Sequence, residues 1–427
     1  MKKYIYDKTD KKKTDELIKR PGIHFDKTFE IVKPILHDVK KHGMHAAIKY
    51  AKKLDGFTAS SIFVEEKEIL KAERNLDKKI KEALETAYQN IRKFHTQEIP
   101  RSFKVGTHAG IFCSREFRAI DNVGLYVPGG NAILPSTVLM LGIPAQIARC
   151  PRVVLCTPVK GKRVNYALLY AAQLCGIKEI IKIGGAHAIG LLAYGDAEFS
   201  KVDKIFGPGN QYVTASKMLV SIDPSGCAID IPAGPSELLV IADDSANPAF
   251  IAADLLSQAE HGADSQVVFA TTSEILARKV KEEIKIQLPA LPRREIVEQS
   301  LKNSFILIVD NIDDALNFSN RYAPEHLILN VKKAADYTDK IHNAGSVFLG
   351  EYSPESAGDY ASGTNHSLPT SGYARAFGGV GVESYMKSIT FQNLTKEGLK
   401  RISSAVETLA ETEGLAAHKK AVNIRIK

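Results

Sequence analysis

The strongest constraint on the fold is a regular alternation of short apolar runs with amphipathic helical segments. One series extends from 123-VGLYVP to 228-AIDIP, and a second extends from 237-ELLVIAD to 346-SVFLG. Strands that alternate with helices in this way pair in parallel sheets whose faces are covered by the helices. The Pro/Gly-rich stretch near 230–236 separates the two series, so the sequence predicts an α/β protein with two Rossmann-like halves.

The sequence on either side of these series has a different character. Segments 27–54 and 66–95 carry apolar residues at i, i+3 and i+4 spacing, which predicts amphipathic helices. Residues 351–383 are rich in Gly, Ser and Pro and predict a long loop, which in a compact domain is either functional or disordered. Residues 395–420 are again expected to be helical, and residues 421–427 are expected to form a short strand.

Length and composition limit the class of protein. At 427 residues with 44% hydrophobic residues, the chain can form two or three domains with a large core. It has no apolar run of about 18 residues and no apolar signal segment, so we expect neither a membrane protein nor a secreted one. The five cysteines are widely spaced and form no CxxC pair, which argues against a disulfide framework or a cysteine zinc site and favours the cytoplasm.

The net charge of +8 is concentrated near the N-terminus. Residues 1–55 hold 15 Lys and Arg residues against 8 Asp and Glu, and the rest of the chain is nearly neutral. A basic arm of this kind can bind nucleic acid. A solvated helical face explains it better, because no aromatic platform or nucleic-acid motif accompanies it, and we expect no nucleic-acid partner.

Glycine-rich corners follow three strands of the first series, at 128-PGGN, 184-GGAHAIG and 207-GPGN. Glycine lets backbone N–H groups approach a ligand, and the N-terminus of the next helix favours an anion. Each corner alone is compatible with an ordinary tight turn. None matches the G-x-G-x-x-G fingerprint with a later acidic residue, so together they predict a nucleotide bound in a non-standard mode.

Two polar side chains interrupt an apolar helix-to-strand corner at 254-DLLSQAEHGADSQVVF-269. Gln258 and His261 are three residues apart, so on a helix both can face one cleft, as histidine-containing pairs do in metal sites. A hydrogen-bonded structural histidine is the simpler explanation of this pair alone, and zinc would need further His, Asp or Glu ligands. Asp359, which lies near His366 in the long loop, can serve as a carboxylate ligand or as a turn cap.

Glu325 and His326 stand together at the start of an expected strand, directly after Pro324. Pro324 favours an extended entry into that strand. An adjacent carboxylate and imidazole at a strand end can supply two bases for proton transfer. Two surface polar residues leading into a strand would give the same dipeptide, so the pair is ambiguous by itself.

Several long segments together resemble the histidinol dehydrogenase family. They are spread over about 300 residues, and the first hundred residues carry little of the resemblance. The segments are VGLYVPGG (123–130), LCTP (155–158), KIFGPGN (204–210), DIPAGPSELLVIAD (230–243), DLLSQAEHG (254–262), DSQV (264–267), PEHLI (324–328), AGSVFLG (344–350), SPESAGDYASGTNH (353–366), LPT (368–370), AHK (417–419) and AV (421–422).

The resemblance implies NAD-dependent, four-electron oxidation of L-histidinol to L-histidine, the last step of histidine biosynthesis, through an enzyme-held L-histidinaldehyde with two NADH formed. It implies one zinc per subunit and a homodimer whose C-terminal segment reaches into the partner's site. The implied fold has two incomplete, doubly wound Rossmann-like domains. The expected units are a helical N-terminal arm (1–25), a discontinuous first domain (26–122 and 236–380), a second domain (123–235) and a C-terminal dimerisation domain (381–427).

The resemblance also assigns roles to individual residues. The implied zinc ligands are Gln258, His261, Asp359 and His418. The implied substrate contacts are Ser236, Gln258, His261, His326, Asp359, His366, Glu413 and His418. Glu325 is expected to activate the water that attacks the aldehyde, and His326 to accept the hydroxyl proton in the hydride steps. Zinc would orient the substrate, and the implied NAD contacts are Tyr126, His187 and Asn210.

One position departs from the family's usual motif. That motif reads GGAQAI, with the Gln near the cofactor, whereas this chain has 184-GGAHAI-189 with His187. Imidazole can also donate a hydrogen bond but changes charge near neutral pH, so we expect altered, pH-dependent NAD affinity with retained activity. The family does not place its catalysis on cysteine, and Cys150 and Cys156 are expected to be buried structural thiols.

Two other functions are compatible with parts of the sequence. A zinc-dependent dehydrogenase of the same fold could act on a different amino alcohol, but Ser236, His366 and Glu413 all match the substrate positions. A catalytically inactive binding or scaffold protein would be expected to lack Glu325, His326 or a metal ligand, and this chain retains them. The sequence therefore favours the enzyme.

Overall fold

A computed structural model describes residues 1–20, 25–129, 133–159, 161, 163–231 and 234–427. Part of the glycine corner at 128–131 and part of the crossing stretch near 230–236 lie outside the described residues. The described strands form three sheets, of six, five and three strands. In chain order they are β1 (Lys2–Ile5), β2 (Phe103–His108), β3 (Ile111–Ala119), β4 (Asn122–Tyr126), β5 (Arg152–Cys156), β6 (Glu179–Ile181), β7 (Lys204–Phe206), β8 (Ala228–Ile229), β9 (Glu237–Ala242), β10 (Gln266–Thr271), β11 (Phe305–Ile308), β12 (His326–Asn330), β13 (Ser346–Leu349) and β14 (Met386–Leu394).

Helices cover the faces of the two larger sheets, and two helices follow the third sheet at the end of the sequence. In chain order they are α1 (Lys11–Leu17), α2 (Phe25–Leu54), α3 (Glu66–Asn75), α4 (Lys78–His95), α5 (Pro135–Ala148), α6 (Tyr166–Leu174), α7 (Gly185–Tyr194), α8 (Gln211–Ile222), α9 (Pro248–Ala259), α10 (Glu274–Gln287), α11 (Arg294–Lys302), α12 (Ile312–Tyr322), α13 (Glu355–Tyr360), α14 (Lys396–Thr412) and α15 (Ala416–Ile426). Gly43, with a φ of 52°, interrupts α2.

The two larger sheets are entirely parallel and share one strand order. The five-stranded sheet runs β6-β5-β4-β7-β8, and the six-stranded sheet runs β1-β11-β10-β9-β12-β13. Apart from β1 at the edge, both follow the 3-2-1-4-5 order of a Rossmann sheet. Every residue of β9, β10 and β12 is buried, as expected of parallel strands covered on both faces. The predicted α/β architecture with parallel sheets is confirmed.

The N-terminal helices pack on the five-stranded sheet, which differs from the expected grouping of residues 26–122 with 236–380. Helix α2 lies on α7 and α8, α3 lies on α6, and α4 lies on α5. Val32, Val39 and Ile91 are fully buried in the same apolar core as Val123 and Leu155 of the sheet. The apolar stripes of α2 and α4 therefore complete the half of the molecule built by residues 122–229.

The six-stranded sheet has a core on each face. Helices α9, α10 and α11 cover one face, around Phe269 and Val280, while α12 covers the other, around Phe318. Residues 1–25 were expected to form a helical arm. Instead, the chain begins with β1, which pairs in parallel with β11 and extends this sheet before α1 begins. Tyr4 and Tyr6 are two residues apart and both face α12, where their rings pack on aromatic residues. This packing explains why the segment joins the sheet as a strand.

The third sheet was not expected from the sequence. Strands β2, β3 and β14 pair in antiparallel fashion, and most of their residues are exposed, so no clear apolar alternation marks them. Phe103, Phe112 and Phe391 remain exposed on it within this single chain. Helices α14 and α15 follow and pack on each other. Residues 421–427 continue α15 as far as Ile426, so the expected C-terminal strand is wrong.

Residues 351–383, expected to be a long loop, contain short helical elements. They hold α13 and two single-turn 3₁₀ helices, Tyr373–Arg375 and Val382–Tyr385. Tyr385 is fully buried and stacks on Phe206, with 3.9 Å between ring centroids, so the end of this segment is anchored in the core. Among the described residues, no helix combines the length and apolar character needed to cross a membrane.

Candidate active site

The candidate active site lies at the amino edge of the six-stranded sheet. Glu237 and His326 are the first residues of the neighbouring parallel strands β9 and β12, and the register aligns His326 with Leu238. Parallel neighbours in register begin at one edge, so the groups at their first residues come together. Helix α13 packs on α9, and its Glu355 and Asp359 carboxylates lie 3.8 Å and 3.6 Å from the ring nitrogens of His326 at this edge.

Gln258 lies in the last turn of α9, whereas His261 lies just beyond the helix rather than on it as the i, i+3 spacing had predicted. The helix ends at Ala259, and a turn follows in which the N–H of His261 donates to the carbonyl of Gln258 at 3.3 Å. Gln258 is fully buried, whereas His261 keeps an exposed face. His261 is otherwise surrounded by protein, and this desolvation lowers the pKa of its imidazole. A neutral imidazole is the form that binds a metal.

Helix α13 adds two carboxylates to the same place. Glu355 is its first residue and Asp359 lies four positions later, so both carboxylates occupy one face. Glu355 is buried against the Gln258 amide, and in the orientation that satisfies both groups the amide nitrogen donates to Glu355 Oε2 at 2.8 Å. That arrangement leaves the amide oxygen of Gln258 free to act as a ligand.

The donor atoms at this corner fit a bound zinc ion. One ligand atom from each of His261, Glu355 and Asp359 lies within 4.8 Å of the others, and Gln258 adjoins the group. Imidazole nitrogen and carboxylate oxygen are ligands that zinc accepts in proteins, and three protein ligands with an open position are typical of zinc enzymes. The ligands implied for one chain, Gln258, His261 and Asp359, are therefore brought together.

Glu325 and His326 are held by the main chain of a single residue. The N–H of Glu237 donates to Glu325 Oε2 at 2.8 Å, and the carbonyl oxygen of Glu237 lies 3.2 Å from His326 Nδ1. Because a carbonyl can only accept, Nδ1 carries the proton in the neutral ring, and Nε2 is then the nitrogen with the free lone pair. That Nε2 is buried, lies 3.6 Å from Asp359 Oδ1 and makes no hydrogen bond within the described part of the chain.

Local backbone geometry brings this pair to the edge. Helix α12 ends at Tyr322, and Ala323 follows it with a left-handed φ of 53°, so the turn before Pro324 is a left-handed helix cap rather than the extended residue expected from the proline. Glu325 and His326 are both buried at the entry to β12. The pair is therefore part of the interior, and the alternative of two surface polar residues leading into a strand is wrong.

The charges at the site are strongly coupled. Burial raises the pKa of Glu325 to about 8 and also raises that of Glu355, because a buried carboxylate loses its hydration. Burial alone would lower the pKa of His326, but the carboxylates of Glu325, Glu355 and Asp359 outweigh it and raise the pKa to about 10. Burial would likewise raise the pKa of Asp359, but the His326 imidazole 3.6 Å away, with His366 and His261 contributing, lowers it. Several perturbed pKa values at one buried corner are typical of a functional site.

His366 joins the site to the other half of the molecule. Its Nδ1 lies 2.9 Å from the carbonyl oxygen of Asp359, and its Nε2 lies 3.2 Å from the hydroxyl of Thr137 in the first turn of α5. Burial lowers the pKa of its imidazole. Ser236 directly precedes Glu237, and its carbonyl accepts a hydrogen bond from the N–H of Gln266. Both predicted substrate contacts therefore border the corner.

Comparison with known proteins identifies the family. The sequence profile described as histidinol dehydrogenase matches residues 18–426. The chain belongs to the histidinol dehydrogenase family. It is 50% identical over 412 residues to histidinol dehydrogenase from Bacteroides thetaiotaomicron, covering 96% of each chain, and 48% identical over 427 residues to that from Vibrio parahaemolyticus, covering 100% of this chain and 98% of the relative. The crystal structure of histidinol dehydrogenase from Elizabethkingia anophelis, 49% identical, superposes with a TM-score of 0.95 over 100% of this chain and 98% of that one.

Two of the residues assigned from the histidinol dehydrogenase family are not brought to the site within this chain. Glu413 caps the end of α14, His418 lies in the first turn of α15, and both side chains are exposed. His418 is not among the residues that cluster around His261 in the described chain. A single chain therefore assembles three of the four implied zinc ligands.

The residues expected to contact the histidinol dehydrogenase cofactor lie around the carboxyl edge of the five-stranded sheet. Tyr126 ends β4, and its buried hydroxyl accepts a hydrogen bond from the N–H of Gly185 at 3.0 Å, in the first turn of α7. Asn210 caps α8, accepting hydrogen bonds from the N–H groups of Tyr212 and Val213, and it remains exposed. In the described chain the first turns of α5 and α7 have no N-cap side chain, so apart from the Gly185 N–H and the proline Pro135, their N–H groups can bind an anion.

His187 has a different environment from the one expected. Its side chain is 1% exposed, lies with Nε2 3.1 Å from Asp55 Oδ2, and stacks on the ring of Tyr50. The imidazole is thus engaged by the protein on two sides. His187 can therefore affect the cofactor only indirectly, by changing the position of the start of α7 or of Asp55.

Sequence reasoning missed two residues that shape the site. Glu355 precedes Asp359 by four positions after Pro354, a helix-start signal that would have placed both carboxylates on one face. Glu237 was treated only as the first residue of a strand, although its main chain contacts both Glu325 and His326. No sequence signal indicates the second role, because it depends on the register of β9 and β12.

Proposed function

We propose that this chain catalyses the NAD-dependent, four-electron oxidation of L-histidinol to L-histidine, with L-histidinaldehyde held between the two oxidations. Membership of the histidinol dehydrogenase family supports the substrate. The observation that carries the proposal is the unpaired, buried Nε2 of His326, which lies beside a second base, Glu325, and a set of metal-binding side chains. A pair of bases is what two oxidations with an intervening hydration require.

His326 is the base in both hydride steps. Its Nδ1 proton is held on the carbonyl of Glu237, so Nε2 is the atom that accepts the proton of the substrate hydroxyl. The alcohol loses that proton and a hydride to become the aldehyde, and the hydrated aldehyde loses the same pair to become the acid. Bound NAD supplies the hydride acceptor, one molecule for each oxidation.

Glu325 activates the water that hydrates the aldehyde. One of its oxygens, Oε2, is anchored by the N–H of Glu237, which leaves Oε1 to accept a proton from water. Burial raises the pKa of this carboxyl to about 8, so it binds a proton more strongly than an ordinary glutamate does. The water adds to the aldehyde carbon as its proton moves to Glu325, and His326 returns the proton taken in the first oxidation to the former carbonyl oxygen. The resulting geminal diol is then ready for the second oxidation, with His326 again able to accept a proton.

A zinc ion is held in this proposal by Gln258, His261 and Asp359, with His418 as the fourth protein ligand. When bound, zinc supplies a fixed positive charge that orients the substrate's nitrogen atoms and opposes protonation of His326. Ser236, His326, His366 and Glu413 complete the contacts to the substrate. His366 is positioned for this by hydrogen bonds to Asp359 and Thr137 at its two ring nitrogens.

We place NAD at the carboxyl edge of the five-stranded sheet, near Tyr126, His187 and Asn210. The uncapped first turns of α5 and α7 favour the pyrophosphate there. Thr137 in the first turn of α5 contacts His366, so this edge adjoins the substrate corner. A cofactor at this edge would therefore border the substrate corner through Thr137 and His366.

The active unit in this proposal is a homodimer. The exposed Glu413 and His418 on α14 and α15 would reach the partner's corner and complete its ligand set. The exposed aromatic residues of the third sheet, Phe103, Phe112 and Phe391, give the region around residues 381–427 an apolar surface for a second copy to cover.

The test is the number of NADH formed per L-histidinol consumed, before and after zinc is removed with a chelator. Two NADH per substrate, lost on chelation and restored by zinc, is the expected result. One NADH per substrate would mean that the reaction ends at the aldehyde and would contradict the role of Glu325. No reaction with histidinol, but turnover of another amino alcohol, would contradict the substrate.

A further inference from the structure

Glu237 has two separate sets of contacts. Its main chain holds the carboxylate of Glu325 and Nδ1 of His326, as described above. Its side chain, 1% exposed, turns away from the substrate corner and is paired with the guanidinium of Arg20. Arg20, near the N-terminus, therefore contacts Glu237, which in turn contacts both proposed bases.

The Arg20 guanidinium is fully engaged. Nε donates to Glu237 Oε1 at 3.0 Å and Nη2 donates to Oε2 at 2.9 Å, which is the two-point geometry that fixes a carboxylate in orientation. Nη2 also donates to the carbonyl of Tyr322 at 2.6 Å, and Nη1 donates to that of Ile18 at 2.8 Å. The guanidinium carbon lies 3.6 Å above the centre of the Tyr322 ring.

The Glu237 carboxylate has a second partner, in the segment that follows His366. The N–H of Ser371 donates to Glu237 Oε1 at 2.6 Å, so this oxygen receives hydrogen bonds from both Arg20 and Ser371. Tyr322, under the guanidinium, precedes Glu325 by three residues and is itself fully buried. Arg20 therefore contacts both segments that hold the two proposed bases. It contacts Glu237 at the start of β9 and Tyr322 shortly before β12 begins.

We propose that Arg20 is a positioning residue for the two bases. Its two-point contact with Glu237 and its stacking on Tyr322 set the relative position of the starts of β9 and β12, and thereby the Glu325 carboxylate and the His326 imidazole. The inference rests on the proposed function for its kinetic consequences. Its structural content, the placement of these two side chains, stands apart from the identity of the substrate.

Stability alone is a weak explanation for this pair. Burying two charges carries a large desolvation penalty, and apolar residues in their place are often as stable. A guanidinium is also hard to replace here, because lysine cannot contact both carboxylate oxygens and stack on a ring at once. A misplacement of about 1 Å at reacting groups can cost roughly 10²-fold in rate, so a geometric role has a measurable consequence.

The test compares Arg20→Lys with a matched control, Arg152→Lys. Arg152 makes the same two-point contact with Glu179, at 2.8 Å and 2.8 Å, and its guanidinium lies 5.2 Å from the Phe199 ring centre, but it stands on the five-stranded sheet away from the corner. Both variants keep the positive charge and the paired carboxylate. For each we would measure Tm, kcat and KM for histidinol and NAD, and the crystal structure of the apo protein.

For Arg20→Lys we expect kcat to fall by roughly 10-fold to 10²-fold in both oxidations, with KM for both ligands within about twofold of wild type. The crystal structure should show the His326 ring and the Glu325 carboxylate displaced. Arg152→Lys should leave kcat and these positions unchanged, with a smaller loss of Tm because the Arg152–Glu179 pair is more exposed than the Arg20–Glu237 pair. Wild-type kcat and unmoved side chains in Arg20→Lys would overturn the inference, as would equal kcat losses in the two variants.

The two hypotheses fail in different ways. If the wild-type protein does not oxidise histidinol, the proposed function fails and the crystal structures still decide whether Arg20 positions the pair. If wild type is active and Arg20→Lys matches it, only the positioning role fails.

Discussion

The side-chain amide of Gln258 lies directly against the carboxylate of Glu355, with 2.8 Å between the amide nitrogen and Oε2 in the orientation that satisfies both groups. Both side chains are buried, so neither can satisfy its hydrogen bonds with bulk water. Glu355 thereby determines which end of the amide faces His261 and Asp359. In metal sites, partners that orient a ligand are often as necessary as the ligand itself.

Replacing Glu355 by Ala is therefore expected to weaken zinc binding. The Gln258 amide would lose the acceptor that orients it, and affinity should fall by about 10-fold to 100-fold, the range typical of such partners. Competition with a chromophoric chelator measures this without turnover. Glu351→Ala removes an exposed carboxylate from the same segment and serves as the control. Equal affinities in wild type and Glu355→Ala would contradict the role.

Glu325→Gln is expected to separate the two oxidations. The amide keeps the hydrogen bond from Glu237 N–H but cannot accept a proton from water, so oxidation of L-histidinaldehyde should fall by roughly 10²-fold or more. Oxidation of L-histidinol should fall less, because His326 remains the base for that step. Rapid-mixing measurement of NADH formation from each substrate tests this, and equal losses would assign Glu325 to a shared structural role.

Local sequence was enough to predict the groups that lie close together along the chain. The i, i+3 spacing of Gln258 and His261, and the adjacent Glu325 and His326 after Pro324, each depend on one turn or one strand entry. Alternating apolar runs likewise predicted the parallel sheets, because strands covered on both faces must be apolar throughout.

Features that depend on distant pairing could not be predicted. Arg20 and Glu237 are 217 positions apart, and nothing in either local sequence indicates the other. The sequence predicted a helical arm where β1 lies, because the strand that pairs with β1 is β11, some 300 residues later in the chain. The packing of α2 on α7 and α8 is a similar case, since an apolar stripe indicates burial but not the surface that buries it.

Alanine at any of the five cysteines is expected to leave most of the turnover. Burial raises the pKa of Cys150 and of Cys227 to about 12, and it also raises the pKa of Cys156 and Cys175. Reactive thiolate is therefore scarce near neutral pH at these positions. Measuring kcat for each variant tests this prediction, and a loss of several orders of magnitude at one position would point to a covalent thiol intermediate instead.

His187→Gln is expected to alter the affinity for NAD while activity is retained. His187 lies in the first turn of α7, with its imidazole 3.1 Å from Asp55 and stacked on the ring of Tyr50, so the variant changes the packing at the start of a helix that we place at the cofactor. Glutamine has no ring to stack on Tyr50. We would compare kcat and KM for NAD in wild type and variant from pH 6 to 9. Identical KM values throughout would show that His187 has no effect on the cofactor.

Mixing two inactive variants is expected to restore activity if the C-terminal segment completes the partner's site. In a heterodimer of His261→Ala and His418→Ala, one corner contains His261 of its own chain and an intact His418 from the partner, while the other corner lacks both. Random reassociation yields about half heterodimers with one working site in two, so about a quarter of wild-type activity should return. Mixing His261→Ala with Asp359→Ala is the control, because every corner of that heterodimer lacks one ligand. No recovery in the first mixture, after subunit exchange has been verified by mass spectrometry of tagged chains, would mean that His418 serves its own chain.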